Sequence, residues 1–398
     1  MMTTHIMPTY NRQPISFVKG SGSWLYTQDG TAYLDALTGI AVCGLGHCHP
    51  AITNAINEQA NQLLHTSNLY QIDWQEQAAD KLCQVTNMDS VFFANSGAEA
   101  NECALKLARK FANDKGFSRP KVIVMENSFH GRTLLTVSAT ANPKAREGFY
   151  TLDDDFIRVP FGDIDAIKTV LANHDDICAI FLEPIQGEGG LNTAKNGFEY
   201  LNEVHALCDK HDILFMLDEV QTGNGRTGKY FAFLHSDVKP DVLTTAKGLG
   251  NGFPVGACLV SGRAQNLFGF GAHGSTFGGT HLASRVICAV FDELEQSNVM
   301  DNAVKQGDKI QQQIYTLFKN KSITTRGKGM MIGIVLPTDV DCSKLVDVAR
   351  DEYKMLINVT GGHVIRLLPP LNLSDEDTDE LINRLTKLIN TVLINTVV

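Results

Sequence analysis

No apolar run in the 398 residues reaches the length of a membrane-spanning helix, and the opening MMTTHIMPTYNRQPISF lacks the apolar centre of a signal peptide. A cytoplasmic protein without a membrane partner is therefore expected. Basic charge is also short: 34 Lys and Arg against 44 Asp and Glu give a net charge of −10. That balance argues against nucleic acid as a partner, because phosphate binding needs a basic face. A small anionic substrate stays open, since a few local cations suffice. Paired cysteines are missing as well. Cys43, Cys48, Cys83, Cys103, Cys178, Cys208, Cys258, Cys288 and Cys342 are scattered, odd in number and free of CxxC, which fits reduced thiols and no disulfide frame. Gly46-His47-Cys48-His49 offers adjacent ligands with no second cluster, so no metal is expected. Internal repeats, low-complexity tracts and Pro/Gly/Ser linkers are absent too.

What is present reads as a globular α/β protein. Hydrophobic content of 43% and charged content of 20% are ordinary, and the length allows one large α/β domain with an appendage. Residues 16–35 read as a β-meander broken by Gly20, Gly22 and the turn Asp29-Gly30. Pro50 opens a helical stretch to about His65. From residue 90 the pattern alternates strand, loop and helix. Strands are expected at Ser90–Ala94, Lys121–Met125, Ile177–Leu182, Ile213–Leu217, Val242–Thr245 and Ala257–Ser261. Such alternation implies a mostly parallel sheet covered on both faces. After residue 282 come two long helices, a strand near Met330–Leu336, a helix near 343–356, a strand near Val364–Leu367 and a last helix after Ser374-Asp375-Glu376. The expected division is an N-terminal segment 1–50 packing with the small domain, a large domain 51–285 and a C-terminal α+β domain 286–398.

Chemistry gathers where strands end. The run Ile213–Leu217 ends in Asp218-Glu219, and the run Asp241–Ala246 ends in Lys247 and a glycine-rich turn. Open α/β sheets place sites at the carboxyl ends of their strands. A lysine there can form a Schiff base with an aldehyde, and a buried acid can keep a pyridinium nitrogen protonated. A solvated lysine and a helix-capping acid are the plainer alternative. Asn95-Ser96-Gly97-Ala98 opens a long helix whose first N–H groups can cradle a phosphate, or simply form a serine cap. Phe129-His130-Gly131-Arg132 combines an aromatic face with a carboxylate-gripping fork. Glu183 and Glu188 flank a turn in Glu183-Pro184-Ile185-Gln186-Gly187-Glu188, and Ser275-Thr276 supply two hydroxyls in a glycine-rich loop. Arg366 lies inside an apolar strand, where a charge needs a partner.

Taken jointly, SGAEANE (96–102), FHGRT (129–133), EPIQGEGG (183–190), DEVQTGNGRTG (218–228), KGLGNGFP (247–254) and HGSTFGG (273–279) resemble the class III (subgroup II) aminotransferases dependent on pyridoxal 5'-phosphate. The resemblance spans nearly the whole chain and implies fold type I of that cofactor's transferases. It further implies that Lys247 carries the cofactor and shuttles the proton. Asp218 then binds the ring nitrogen, Gln221 reaches the ring hydroxyl, and Val220 and Phe129 sandwich the ring, with Glu219 among the cofactor-binding residues. Gly97 and Ala98 would hold the phosphate with Thr276 of a neighbouring subunit, which makes a homodimer the expected partner. Arg132 is implied to take the substrate α-carboxylate, or the distal carboxylate of glutamate. Ser275 and Tyr10 would contact substrate, and Arg366 would take the α-carboxylate of glutamate while pairing with Glu188 otherwise. The implied reaction moves the ω-amino group of N2-acetylornithine to 2-oxoglutarate; succinylornithine, succinyldiaminopimelate, ornithine and 4-aminobutyrate are alternative donors. One departure is that many relatives continue after Gly279 with Asn-Pro, whereas Thr280-His281 stand here, without the proline-stiffened turn.

Overall fold

A computed structural model describes residues 5–395. The N-terminal meander is β1 (Lys19–Ser21), β2 (Trp24–Tyr26) and β3 (Ala32–Asp35), each antiparallel to the next. The central sheet follows with β4 (Ser90–Ala94), β5 (Lys121–Met125), β6 (Phe156–Val159), β7 (Ile177–Leu182), β8 (Leu214–Asp218), β9 (Val242–Thr245) and β10 (Gly256–Val260). Its order is β4-β10-β9-β8-β7-β5-β6, and only β10 runs antiparallel to its neighbours. Every residue of β7 and β8 is buried because successive side chains enter opposite cores. Ile180, Leu182, Phe215 and Leu217 pack with Tyr200 and Val204 of the helix Glu199–His211. Ala179, Phe181, Leu214 and Met216 pack with Cys103, Ala104, Leu107 and Phe111 of the helix Gly97–Asp114. This is the mostly parallel, two-faced sheet that the sequence pattern implies.

The C-terminal strands are β11 (Thr324–Lys328), β12 (Met331–Val335), β13 (Met355–Leu356), β14 (Asn358–Thr360) and β15 (Val364–Leu367). An antiparallel sheet of order β11-β12-β15-β14 results, while β13 leaves it to pair in parallel with β3. Leu34, Ala36, Leu45 and Ile52 share one apolar core with Ile332, Ile365 and Leu385. The helix His281–Gln296 divides its faces: Val286, Val290 and Leu294 enter that core, while Ala283, Ile287 and Phe291 enter the core of the central sheet. Residue 285, the expected end of the large domain, thus falls inside a helix shared by both cores.

Some elements differ from expectation. The helix expected near 343–356 spans only Leu345–Asp351, because Lys354 takes a left-handed φ of 47° and the chain then becomes β13. The helix from Pro50 ends at Ala60. The edge strand β6 was not anticipated; it is short and carries Arg158 behind the acidic turn Asp153–Asp155.

Candidate active site

Five parallel strands, β4, β5, β7, β8 and β9, deliver their following loops to the same edge of the sheet. There a cavity of about 370 Å³ is lined by Gly97, Ala98, Phe129, Arg132, Glu183, Glu188, Asp218, Val220, Gln221 and Lys247, among others. Residues far apart in sequence converge because parallel strands point their carboxyl ends one way.

Asp218, the last residue of β8, is buried at 4% exposure. Its Oδ2 accepts hydrogen bonds from Asn101 Nδ2 and His130 Nδ1, both at 2.8 Å, and its Oδ1 accepts from the Val220 amide at 3.0 Å. Asn101 is oriented in turn by Thr244 on β9, whose hydroxyl donates to Asn101 Oδ1 at 2.6 Å. His130 stacks on Phe181 with ring centroids 4.3 Å apart. Three neighbours therefore hold the carboxylate in one orientation, with a donor on each oxygen.

Lys247 follows β9 with φ 47°, so its side chain leaves the strand direction and faces the cavity. Burial lowers its amine from 10.5 to about 8, with the charge of Glu188 pulling the other way. Glu183 is held by the amides of Phe129 (3.1 Å) and Gly187 (3.2 Å), and burial raises its carboxyl to about 7 against the pull of His130. It thereby ties together two walls of the cavity.

The helix Gly97–Asp114 begins at the cavity, with Ser96 Oγ accepting from the Glu99 amide at 3.2 Å. The first-turn amides of Gly97 and Ala98 have no intrahelical acceptor and are free to meet a phosphate. Any side chain at Gly97 would bring its Cβ within 2.8 Å of Val220 Cγ1, so only glycine leaves Val220 its place in the wall. Gly187 is equally restricted, since a Cβ there would fall 2.2 Å from Gln221 Oε1. That oxygen is buried with no hydrogen-bond partner among the described residues. A lysine, a fixed acid, a phosphate-ready helix start and an unsatisfied amide oxygen suit the aldehyde, ring nitrogen, phosphate and hydroxyl of pyridoxal phosphate.

Toward the small sheet, Arg366 on β15 is 1% exposed, and its guanidinium donates to Glu188 Oε1 at 2.6 Å and to Asn358 Oδ1 at 2.9 Å. Arg132 is exposed, with its guanidinium 5.3 Å from the centre of the Phe129 ring. Three expected residues lie elsewhere. Ser275 Oγ accepts from Asn95 Nδ2 at 3.1 Å and from the Gly278 amide at 3.0 Å, and it lines a neighbouring cavity. Thr276 and Tyr10 are exposed. In place of the expected cofactor contact, Glu219 turns into its own loop, where its carboxylate accepts from the Thr222 hydroxyl and the amides of Ala232 and Phe233, all at 2.7 Å. Adjacent residues at a strand end face opposite ways, so Asp218 and Glu219 cannot both face the cavity.

The family model for class-III aminotransferases matches residues 6–389. The chain belongs to the class-III aminotransferases. Among curated relatives, the acetylornithine aminotransferase of Nitrosomonas europaea is 48% identical over 97% of this chain and 98% of its own length. That of Caldanaerobacter subterraneus is 44% identical over 98% of each. Among solved structures, the ornithine aminotransferase of Toxoplasma gondii superposes with a TM-score of 0.93 at 32% identity, covering 98% of this chain and 94% of that one. The acetylornithine aminotransferase of Elizabethkingia anophelis gives 0.85 at 34% identity, covering 97% and 96%. Class-III aminotransferases use pyridoxal phosphate, and the cavity fits that group. Sequence reasoning missed the positioning residues of this class-III site, Asn101, His130, Thr244 and Asn358. The first two stand inside quoted motifs; Thr244 and Asn358 stand in strands with no local signal.

Proposed function

We propose that this aminotransferase moves the ω-amino group of N2-acetylornithine to 2-oxoglutarate, giving N-acetylglutamate 5-semialdehyde and glutamate. The observation that carries the reading is the Arg366–Glu188 pair at the cavity edge. A site that alternates between a donor without a carboxylate near Arg366 and glutamate, which has one, needs a buried cation with a removable partner. A bare buried guanidinium is otherwise costly. The names of the most similar relatives support the same donor. Free ornithine is the second reading, favoured by the close superposition on ornithine aminotransferases.

In this mechanism Lys247 would hold the cofactor through its amine, and the same amine would serve as the base for the proton on the donor carbon. Bound pyridoxal phosphate supplies the electron sink and the carbon that takes up the amino group. The Asp218 carboxylate, fixed by Asn101 and His130, would hold a proton on the ring nitrogen. Phe129 and Val220 would hold the ring, Gln221 its hydroxyl, and the amides of Gly97 and Ala98 its phosphate. Arg132 grips the donor α-carboxylate. Glu188 covers Arg366 until the α-carboxylate of glutamate displaces it.

The active form in this reading is a cytoplasmic homodimer. The exposed Thr276 and Phe277 then reach the partner's site, and Ser275 and Tyr10 meet substrate across the interface. Residues 1–50 and 286–398 then act as the smaller unit against 51–285. The test is a pair of half-reactions with the pyridoxal-loaded enzyme, followed by absorbance. N2-acetylornithine should convert the enzyme with a kcat/KM well above that of ornithine, and 2-oxoglutarate should restore it. Conversion by ornithine alone would replace this reading with the second.

A further inference from the structure

The phosphate end of the cavity and the 273–279 loop are built on one framework. Asn95 stands in the short connection between β4 and the helix Gly97–Asp114, and it lines the active cavity. Glu99, in the first turn of that helix, reaches back to it. Its Oε2 accepts from the Asn95 amide at 2.6 Å and from Asn95 Nδ2 at 2.9 Å. A side-chain amide carries two N–H donors, and the second goes to Ser275 Oγ at 3.1 Å. One residue thus joins the connection that presents the Gly97 and Ala98 amides to the residue just ahead of Thr276.

The loop is pinned on either side of its tip. Ser275 Oγ also accepts from the Gly278 amide at 3.0 Å, which folds the loop on itself. Asn68 Nδ2 donates to the carbonyls of Ser275 (3.2 Å) and Gly278 (3.0 Å), and Gln75 Nε2 donates to that of Gly279 at 3.0 Å. Lys106, on the same helix as Glu99, donates to the Ala272 carbonyl at 3.0 Å. Between these pins Thr276 and Phe277 are exposed. The base of the loop is therefore fixed to the helix that opens one cofactor site, while its tip is free to serve another.

We propose that Asn95 is a positioning residue that couples the two cofactor sites of the homodimer, linking the seating of a phosphate on Gly97 and Ala98, through Ser275, to the Thr276 offered to the partner. The inference rests on the homodimer reading above. A phosphate on the Gly97 and Ala98 amides fixes the connection before the helix, and Asn95 then holds Ser275 in one place. The first cofactor meets the ordering cost of the loop, so the second binds tighter. Linkage makes the effect the same whichever site fills first.

The experiment titrates the apoprotein with pyridoxal phosphate to equilibrium and counts cofactors per dimer by native mass spectrometry, in wild type, Asn95→Leu, Ser275→Ala and Thr276→Val. Independent sites leave about half of the dimers singly loaded when half of all sites are filled. A coupling of about fivefold should lower that share to about 30% in wild type. Asn95→Leu cuts the link at the helix start and Ser275→Ala cuts it at the loop, so both should return the share to about half. A merely structural role would weaken loading uniformly, moving the midpoint of the titration and leaving the share where it was. A share of about half in wild type would overturn the proposal, as would a low share that survives in both link variants. Thr276→Val keeps the two readings apart. Its loading should be weaker than that of wild type. A monomeric wild type, or Thr276→Val loading as tightly as wild type, removes the contact between subunits and the proposal with it. Weaker loading of Thr276→Val beside independent sites in wild type leaves that contact and removes only the coupling.

Discussion

Lys247 makes the residue-scale logic testable through pH. Its amine is lowered to about 8 by burial, whereas an unfolded lysine titrates near 10.5. Only the neutral amine attacks an aldehyde, so pyridoxal phosphate uptake by the apoprotein should rise up to about pH 8 and then level off. Stopped-flow uptake that still climbs beyond about pH 9.5 would contradict this lowered amine. The same difference has a sign for stability. Between the two values the unfolded chain binds the extra proton, so the contribution of Lys247 to folding improves as pH rises across that window. Asp218 offers a second residue-scale test. Asp218→Asn keeps the size and one acceptor for Asn101 or His130 but removes the charge that retains the ring proton. Cofactor should still bind, while turnover falls by about 10²–10⁴-fold; near-native turnover would remove the acid from the mechanism.

At the scale of elements, a charged pair fixes the N-terminal segment upon itself. His47 Nε2 lies 2.7 Å from Asp35 Oδ2, and Asp35 Oδ1 accepts from the amides of Leu37 and Thr38, both at 2.9 Å. The hydrogen bond to Asp35 raises His47 from 6.5 to about 10. A raised cation stabilises fully below its unfolded value and ceases to do so as pH passes its folded value. Melting of the apoprotein should therefore show wild type above His47→Gln by the widest margin near pH 6, narrowing toward about pH 10. A margin independent of pH would mean that the ring acts by packing alone. The helix after the 273–279 loop resolves the Thr280-His281 departure. Thr280 Oγ1 accepts from the Ala283 amide at 3.4 Å, and His281 Nε2 meets Thr66 Oγ1 at 3.1 Å. A side-chain cap and a cross-loop bond stand where the resemblance implies a proline-stiffened turn. Legibility differed by element for physical reasons. The runs at β5 and β7 were readable because strands buried on both faces are near-continuously apolar. β11, with the sequence TTRGK, carries no such run and is strand only because β12 pairs with it. Likewise Lys247 and Asp218 were legible at strand ends. Asn358 was not, because its partner Arg366 lies on the neighbouring strand and only the pairing of β14 with β15 brings them together.

Across the whole molecule, the central and C-terminal sheets are joined at the site. Arg366 of β15 holds Glu188 from the loop after β7, Arg326 of β11 donates to the Gly190 carbonyl, and Thr360 of β14 donates to the Glu188 carbonyl. Farther back, the buried Arg226 donates to the carbonyls of Met330 (3.3 Å) and Pro369. Most of these bonds use backbone acceptors, whereas in the proposed mechanism the Arg366–Glu188 bond opens for glutamate. Glu188→Ala therefore leaves the junction assembled and one buried cation without its anion. The side chain of Glu188 is 40% exposed, so screening reduces the loss to about 1–3 kcal/mol rather than that of a sealed pair. Two consequences follow together. The variant should melt below wild type, and glutarate, a dicarboxylate unable to react, should raise its melting temperature more than it raises that of wild type. In half-reactions the glutamate-to-acetylornithine ratio should shift toward glutamate, because its α-carboxylate no longer competes with Glu188. If glutarate stabilises both proteins equally and the ratio is unchanged, Glu188 is a fixed part of the junction, and the accommodation of two unlike substrates must come from elsewhere in the site.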